Sequence, residues 1–191
     1  MKKISFVLLV IFFGLSTYAQ NFDGYVVTNA NDTINCKFFV ETNLINEKIF
    51  YATSVYNKVK ILNSKGEKIK YTPKDLKSFY ISGTTDGNFK FVSFKYDDYK
   101  HFYHEMIGDR LSYYRLYNKD NAYKGSNQTY KEFIFKDDSF LELGLFNTRK
   151  NLAKLIEDNK EIYDKWMDEN GYYKLKDAFN IINQYNNFYK K

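Results

Sequence analysis

Between residues 24 and 146, apolar side chains recur with a period close to two and are broken at short intervals by polar turns. That period marks strands with one face in a core. GYVVT (24–28) and TINCKFFV (33–40) flank the turn Asn29-Ala30-Asn31-Asp32, a hairpin signal. KIFYAT (48–53), NKVKILN (57–63) and KIKYT (68–72) continue the series, with SKGE turning the chain between the last two. Thr72-Pro73 predicts a short helical turn, capped by Thr72, with Pro73 in the first position where a missing N–H does no harm. KSFYIS (77–82) and NFKFVSFKY (88–96) are separated by the Asp86-Gly87 turn. HFYHEMI (101–107) and RLSYYRLYN (110–118) are predicted to join through a two-residue turn at Gly108-Asp109. A polar loop, Lys119–Gln128, precedes a last hairpin of YKEFIFKD and SFLELGLF around Asp137-Asp138.

From Asn147 the period becomes helical: Leu152, Leu155, Ile156, Ile162, Tyr163, Trp166 and Met167 share a stripe. Asn147 or Thr148 is placed to cap it. Asp158, with Glu161 three residues on, has capping-box spacing and predicts a break into two short helices. Asn170-Gly171 ends the run, Gly being at ease in the left-handed conformation of a helix end. A final helix over about Lys174–Tyr189 puts Leu175, Ala178, Phe179, Ile182 and Tyr185 on one face. Strands in one block and helices in the next predict an α+β fold. An antiparallel sheet, a meander or a partly open barrel, occupies 22–146, and two or three helices over 147–191 pack on it.

The first twenty residues stand apart. MKKISFVLLVIFFGLSTYAQ has a positive start at Lys2 and Lys3, an apolar run from Ile4 to Leu15, and small residues at Thr17 and Ala19. This is the three-part pattern of an export signal, with a cut before Gln20. The apolar run falls short of the ~20 residues that span a bilayer. The alternative is an uncleaved anchor. Cutting leaves residues 20–191 as one α+β domain, with no further apolar run long enough for a transmembrane helix. The formal charge falls from +6 by the two leader lysines. Basic residues are nearly all Lys, scattered among Asp and Glu, with arginine only at 110, 115 and 149. Nucleic-acid surfaces concentrate basic residues and use Arg for bidentate contacts, so no nucleic-acid partner is expected.

Tyr and Phe are abundant, at 19 and 18 residues. Lys, Asn and Ile are abundant with them, the composition of AT-rich codon usage. That bias and strand propensity account for most of the excess without a sugar-binding platform. Cys36 is the sole cysteine, so no intrachain disulfide forms. It alternates with Ile34, Phe38 and Val40, which places it on the apolar side of a strand as an inert thiol.

The candidate chemistry is His101, His104 and Glu105. On a helix, histidines three apart share a face and can hold one zinc. On a strand they diverge. The Gly108-Asp109 turn favours the strand, with Phe102, His104 and Met106 on one face and His101, Tyr103, Glu105 and Ile107 on the other. The order also differs from His-Glu-x-x-His, where Glu stands between the ligands. A metal role for the three is therefore weak. Asp97-Asp98 and Asp137-Asp138 read as turn residues, and the scattered glycines form no phosphate loop. No catalytic residue and no cofactor is expected.

Gly24-Tyr25-Val26-Val27 with Asn31-Asp32-Thr33-Ile34, the segment Pro73 to Phe79, the strand Gly108 to Arg115 and the closing Tyr185-Asn186 together resemble a group of small exported Bacteroidota proteins, flavobacterial ones especially. In that group the first turn reads Gly-Asp-Thr-Ile where this chain has Asn31. The resemblance implies an envelope protein of unknown function and transfers no catalytic residue. Asp32-Thr33-Ile34 also resembles the O-glycosylation sequon of such bacteria. Cargo of their type IX secretion route ends in a β-rich domain, whereas this chain ends in helices. A periplasmic or outer-membrane-associated location is therefore expected. The leading expectation is a non-enzymatic accessory module that binds an envelope protein or glycan. The alternatives are a hydrolase or metal-binding enzyme with a site assembled from distant residues, and a carrier of small amphiphiles in an aromatic-lined concavity.

Overall fold

A computed structural model describes residues 19–42, 46–96, 99–117, 130–144, 148–168 and 175–190. Ten strands form one open antiparallel sheet, and three helices follow it. The strands are β1 (Ala19–Thr28), β2 (Thr33–Glu41), β3 (Val59–Leu62), β4 (Lys68–Tyr71), β5 (Leu76–Thr84), β6 (Gly87–Tyr96), β7 (Tyr99–Ile107), β8 (Ser112–Tyr117), β9 (Tyr130–Lys136) and β10 (Ser139–Leu143). The helices are α1 (Thr148–Ile156), α2 (Lys160–Met167) and α3 (Leu175–Tyr189). Strand order is β10-β9-β8-β7-β6-β5-β1-β2-β3-β4, two meanders joined where β1 pairs with β5. The α+β reading holds, as does the sheet that does not close into a barrel. None of the described helices is long and apolar enough to cross a membrane. The expected leader cut falls at the start of β1, and Lys119–Gln128, Asp97-Asp98 and Asn170-Gly171 lie outside the described residues.

Three local expectations change. KIFYAT is not a strand: Phe50 makes a lone bridge to Thr42, and residues 52–54 form a 3-10 turn. Ser54 Oγ donates to the Tyr51 carbonyl at 2.7 Å, a local bond that competes with a ladder. At Thr72-Pro73 the turn stays non-helical and the capping roles reverse. The Asp75 carboxylate accepts from the Thr72 amide and hydroxyl, both at 2.7 Å. Those bonds hold the Asp75 carboxyl below its usual range. Finally, Asn159 caps α2, its Oδ1 accepting from the Ile162 amide at 3.1 Å, so Asp158 is released for another role.

Cross-strand partners share a sheet face. The register therefore traces one row along the inner face: Ile34, Val26, Phe79, Phe91, His104, Arg115, Glu132, Leu143. Around its first four members lies an aromatic core. Phe79 stacks on Phe91 at 4.8 Å and meets Phe102 edge-on at 4.9 Å. Residues 46–58 cross this core as a strap, burying Phe50, Ala52 and Val55. The strap is tied by the Thr85 amide to the Lys48 carbonyl and by the Phe102 amide to the Tyr56 carbonyl, each at 3.0 Å. Gly24 admits the close approach of β1 to its neighbours: a Cβ there would collide with the Tyr80 carbonyl and reach within 2.8 Å of the Phe38 ring.

At the other end of the row the helices cover the sheet. Leu152, Ile156, Trp166, Ile181, Ile182 and Tyr185 bury against Leu111, Tyr113, Ile134 and Leu143. The helices thus pack on the later strands rather than on the whole sheet. Phe179, expected on the buried face, is exposed and meets the Tyr113 ring edge-on at 5.8 Å, while Ile181 takes the core place. A third cluster, with Tyr103, Tyr114 and Phe133 at its centre, lies on the opposite face of the sheet.

Candidate functional site

Between the aromatic core and the helix-covered core, the inner row turns polar. His104, Arg115 and Glu132 stand side by side on β7, β8 and β9 as consecutive register partners. His104 and Glu132 are buried, at 7 % and 8 % exposure. The His104 ring lies against Phe91 at 5.2 Å and Phe89 at 4.8 Å, and its Nδ1 is 3.0 Å from the Tyr117 hydroxyl. Burial, helped by the Arg115 charge, pushes its pKa down to about 4. The Arg115 charge works against the rise in the Tyr117 phenol's pKa, but burial wins and holds it above its ordinary range. Donor and acceptor in the Tyr117–Nδ1 bond follow the tautomer of the neutral imidazole.

Glu132 accepts from Arg115 Nε at 3.2 Å and from the Tyr113 hydroxyl in a short bond. Burial, and then the bond and charge of Glu132, hold Tyr113 far above the ordinary phenol range. The Arg115 guanidinium lies 4.4 Å over the Tyr130 ring, a cation–π contact at the exposed rim of the belt. The belt is therefore a closed set of neutralised groups: one neutral imidazole, one ion pair, and phenols held protonated.

The sequence-predicted residues separate. His104 faces inward, while His101 and Glu105 face outward on the same strand. His101 stacks on Tyr56 at 6.3 Å, and its burial lowers its pKa. Glu105 pairs with Lys90 at 2.7 Å. The expected alternation holds as far as Glu105 and fails beyond it. A bulge between Glu105 and Ile107 brings Ile107 opposite Tyr113, and both Met106 and Ile107 pack against the helix-covered core. The connection to β8 also runs over four residues, 108–111, rather than two, because Ser112 Oγ donates to the Asp109 carbonyl at 2.8 Å and closes a wider turn. Among the described residues, no group of three or more His, Cys, Asp and Glu gathers in metal-binding range. Cys36 is buried on the inner face, as its alternation predicts, and burial pushes its thiol up to about 11.

Arg115, Tyr117 and Glu132 were not singled out by sequence. One signal was present: YKEFIFK is apolar on one parity at 133 and 135, while Ile134 sits between Glu132 and Lys136 on the other. Charges that share a strand face with a core residue are candidates for burial with partners. Lys136 fits this as well, at 7 % exposure. Its Nζ donates to the Leu155 carbonyl at 2.7 Å and pairs with Asp158 at 2.9 Å. Asp158 also accepts from the Tyr185 hydroxyl at 2.8 Å and from Arg110 at 3.0 Å. Asn186 clamps Leu111, accepting from its amide at 2.9 Å and donating to its carbonyl at 2.8 Å. Tyr185-Asn186 and the Gly108–Arg115 segment, quoted separately above, thus meet in one latch between α3 and the sheet.

Two open surface clefts lie away from the belt. One, of about 520 Å³, is lined by Asp23, Asn35, Lys37, Leu62 and Asn63. The other, of about 330 Å³, lies between α1 and α2 beside Arg149, Glu157 and Tyr163. Compared with protein-family models, curated proteins and solved structures, the chain matches none of them, so its function is argued from these residues alone.

Proposed function

We propose that the protein is an exported cell-envelope module, periplasmic or associated with the outer membrane, that binds a protein or glycan partner and catalyses nothing itself. The export pattern of residues 1–19 supports the location. The state of the belt supports the lack of catalysis. His104 is a poor base at neutral pH with a pKa near 4, and Glu132 is occupied by Tyr113 and Arg115. Cys36 is desolvated rather than activated. The space that an amphiphile carrier needs on the inner face is taken by Phe38, Phe50, Phe79, Phe91 and Phe102, each at most 2 % exposed.

The test is a pull-down from envelope extract with the purified protein, run beside a hydrolase and metal screen. The expected result is a reproducible protein or glycan partner and no turnover. Turnover that disappears in His104→Gln or Glu132→Gln would overturn the reading in favour of an enzyme. A lipid retained through native mass spectrometry would overturn it in favour of a carrier.

A further inference from the structure

At the β4 edge of the sheet, five exposed lysines gather around a single exposed carboxylate, Glu67. Val59 and Ile61 of β3 are buried, and Ile69 and Tyr71 of β4 pack on the same core. Alternation therefore turns Lys60, Lys68 and Lys70 outward, and all three are exposed. Lys60 and Lys70 are direct cross-strand partners. Lys58 and Lys65 flank them, also exposed. The one carboxylate in this stretch, Glu67, accepts from Asn63 Nδ2 at 2.7 Å.

Elsewhere on the sheet Lys37 pairs with Asp23, Lys90 with Glu105, Lys131 with Glu142 and Lys136 with Asp158, while Lys77 and the facing pair Lys95 and Lys100 have no carboxylate partner among the described residues. Among the described residues, Lys58, Lys60, Lys65, Lys68 and Lys70 have none. Lysines on an edge strand guard against strand addition. That explains Lys68 and Lys70 on β4. It does not explain Lys60, which sits on the inner strand β3 and faces Lys70, an arrangement that destabilises the pair. An external anion would turn that repulsion into a gain.

The array lies on one face of paired strands, with the lysine Cβ atoms about 5 Å apart across the strands and the Cα atoms roughly 7 Å apart along them. It is built of lysine, a point charge, rather than of the arginine forks that read individual phosphates. Apolar surface lies among the cations: Leu62 is opposite Lys68, and the Lys68 ammonium sits 4.6 Å over the half-buried Phe39 ring. Lysine stems over apolar side chains, with their heads outward, suit a headgroup layer. We infer that the outer face of β3–β4 docks on an anionic phospholipid surface, holding the module against a membrane leaflet. This refines the envelope placement proposed above and rests on it only for which membrane is meant.

The test is co-sedimentation of the purified protein with vesicles of phosphatidylcholine alone and of phosphatidylcholine mixed with phosphatidylglycerol. Binding is expected to need phosphatidylglycerol and to fall steeply with salt. The double variant Lys60→Gln/Lys70→Gln should bind about thirtyfold more weakly. Lys150→Gln/Lys154→Gln, an equal loss of charge on α1, should bind nearly as wild type. Lys60→Glu separates folding from docking, since it should raise Tm by pairing with Lys70 while weakening vesicle binding. Equal losses in the two double variants would overturn the inference, as would equal binding to neutral vesicles. Tight binding of polyphosphate without vesicle binding would overturn it in favour of a soluble polyanion. None of these failures would touch the partner-binding reading. A retained leader on the native protein would favour the uncleaved anchor over a cut before Gln20 and leave the vesicle result standing.

Discussion

Phe79 and Ile134 lie on the same inner face of one sheet, and different things cover them. Around Phe79 the strands cover themselves, with rings from β2, β6 and β7 and the strap over 46–58 filling the space. Around Ile134 the cover is the three helices, held by polar bonds as well as by their apolar stripes. The difference follows from side-chain size. The early strands turn Phe22, Phe38, Phe79, Phe91 and Phe102 inward, enough volume for a core without a second layer. The later strands turn Tyr113, Glu132, Ile134 and Lys136 inward, which leaves both space and charge to be satisfied from outside. The His104–Arg115–Glu132 belt is the seam between the two solutions.

The self-covered half should be most sensitive to loss of volume. Phe79→Ala removes a fully buried ring that meets Phe38, Phe91 and Phe102, and is expected to cost about 4 kcal/mol in urea unfolding. A loss under ~1 kcal/mol would mean that the strap collapses into the space and that the half is not packed as described. The seam comes next. Glu132→Ala leaves the Arg115 charge and the Tyr113 hydroxyl without their shared acceptor, at a cost of about 3 kcal/mol, Arg115 being partly exposed. The pair Arg115→Met/Glu132→Leu should recover most of that loss. If the double variant is no better than the single, the belt contributes more than mutual neutralisation.

Acid should open the seam before either core. The His104 pKa is about 4 in the folded chain against 6.5 for the free side chain. Above pH 6.5 both folded and unfolded states are neutral at this position and its contribution is fully present. As pH falls, the unfolded state takes up a proton that the folded state refuses until about pH 4. Stability should therefore drop by about 2 kcal/mol between pH 7 and pH 5. The drop should shrink by most of its size in His104→Gln, the remainder coming from His101, whose burial also lowers its pKa. The lowered carboxyls of Asp75, Asp109 and Asp158 act at lower pH, below their ordinary value of 3.8. An unchanged slope in His104→Gln would assign the acid sensitivity to some other group.

The latch should act on one half alone. Asn186→Ala strips the partners from the Leu111 amide and carbonyl, and is expected to cost roughly 1–2 kcal/mol. Hydrogen exchange should quicken in α3 and not in β1, β5 or β6. Equal quickening in those strands would show that the two halves open as one unit.

Much of this division was legible in the chain. Alternation over 24–146 and the helical stripe after 147 located the two blocks, and the turns at Asn31 and Asp137-Asp138 appear as residues with positive φ. What could not be read was pairing. Arg115 and Glu132 become neighbours only through β8–β9 register, and β1 sits between β2 and β5 only in the folded sheet. The Met106 bulge reassigns Ile107 for the same reason: it is a property of two strands together. KIFYAT misled because strand-forming residues also serve a strap, where burial follows position over a core rather than ladder parity. Asp158 misled because capping-box spacing is met one residue too early, and the adjacent Asn159 supplies the cap.

That last pair gives the smallest and most local test. Asn159 is 5 % exposed, and its Oδ1 caps α2, while its Nδ2 has no acceptor among the described residues. One end of the amide therefore stabilises the helix start and the other works against burial. Asn159→Ala loses the cap, about 1 kcal/mol, but also removes the orphan donor, so the net loss should fall below that figure. Asn159→Ser keeps an oxygen for the Ile162 amide and discards the donor, so its Tm should equal or exceed that of wild type. If Ser destabilises as much as Ala, capping is not what Asn159 contributes, and α2 is held chiefly by Ile162 and Trp166 in the core, with Asp158 and its latch fixing where the helix begins.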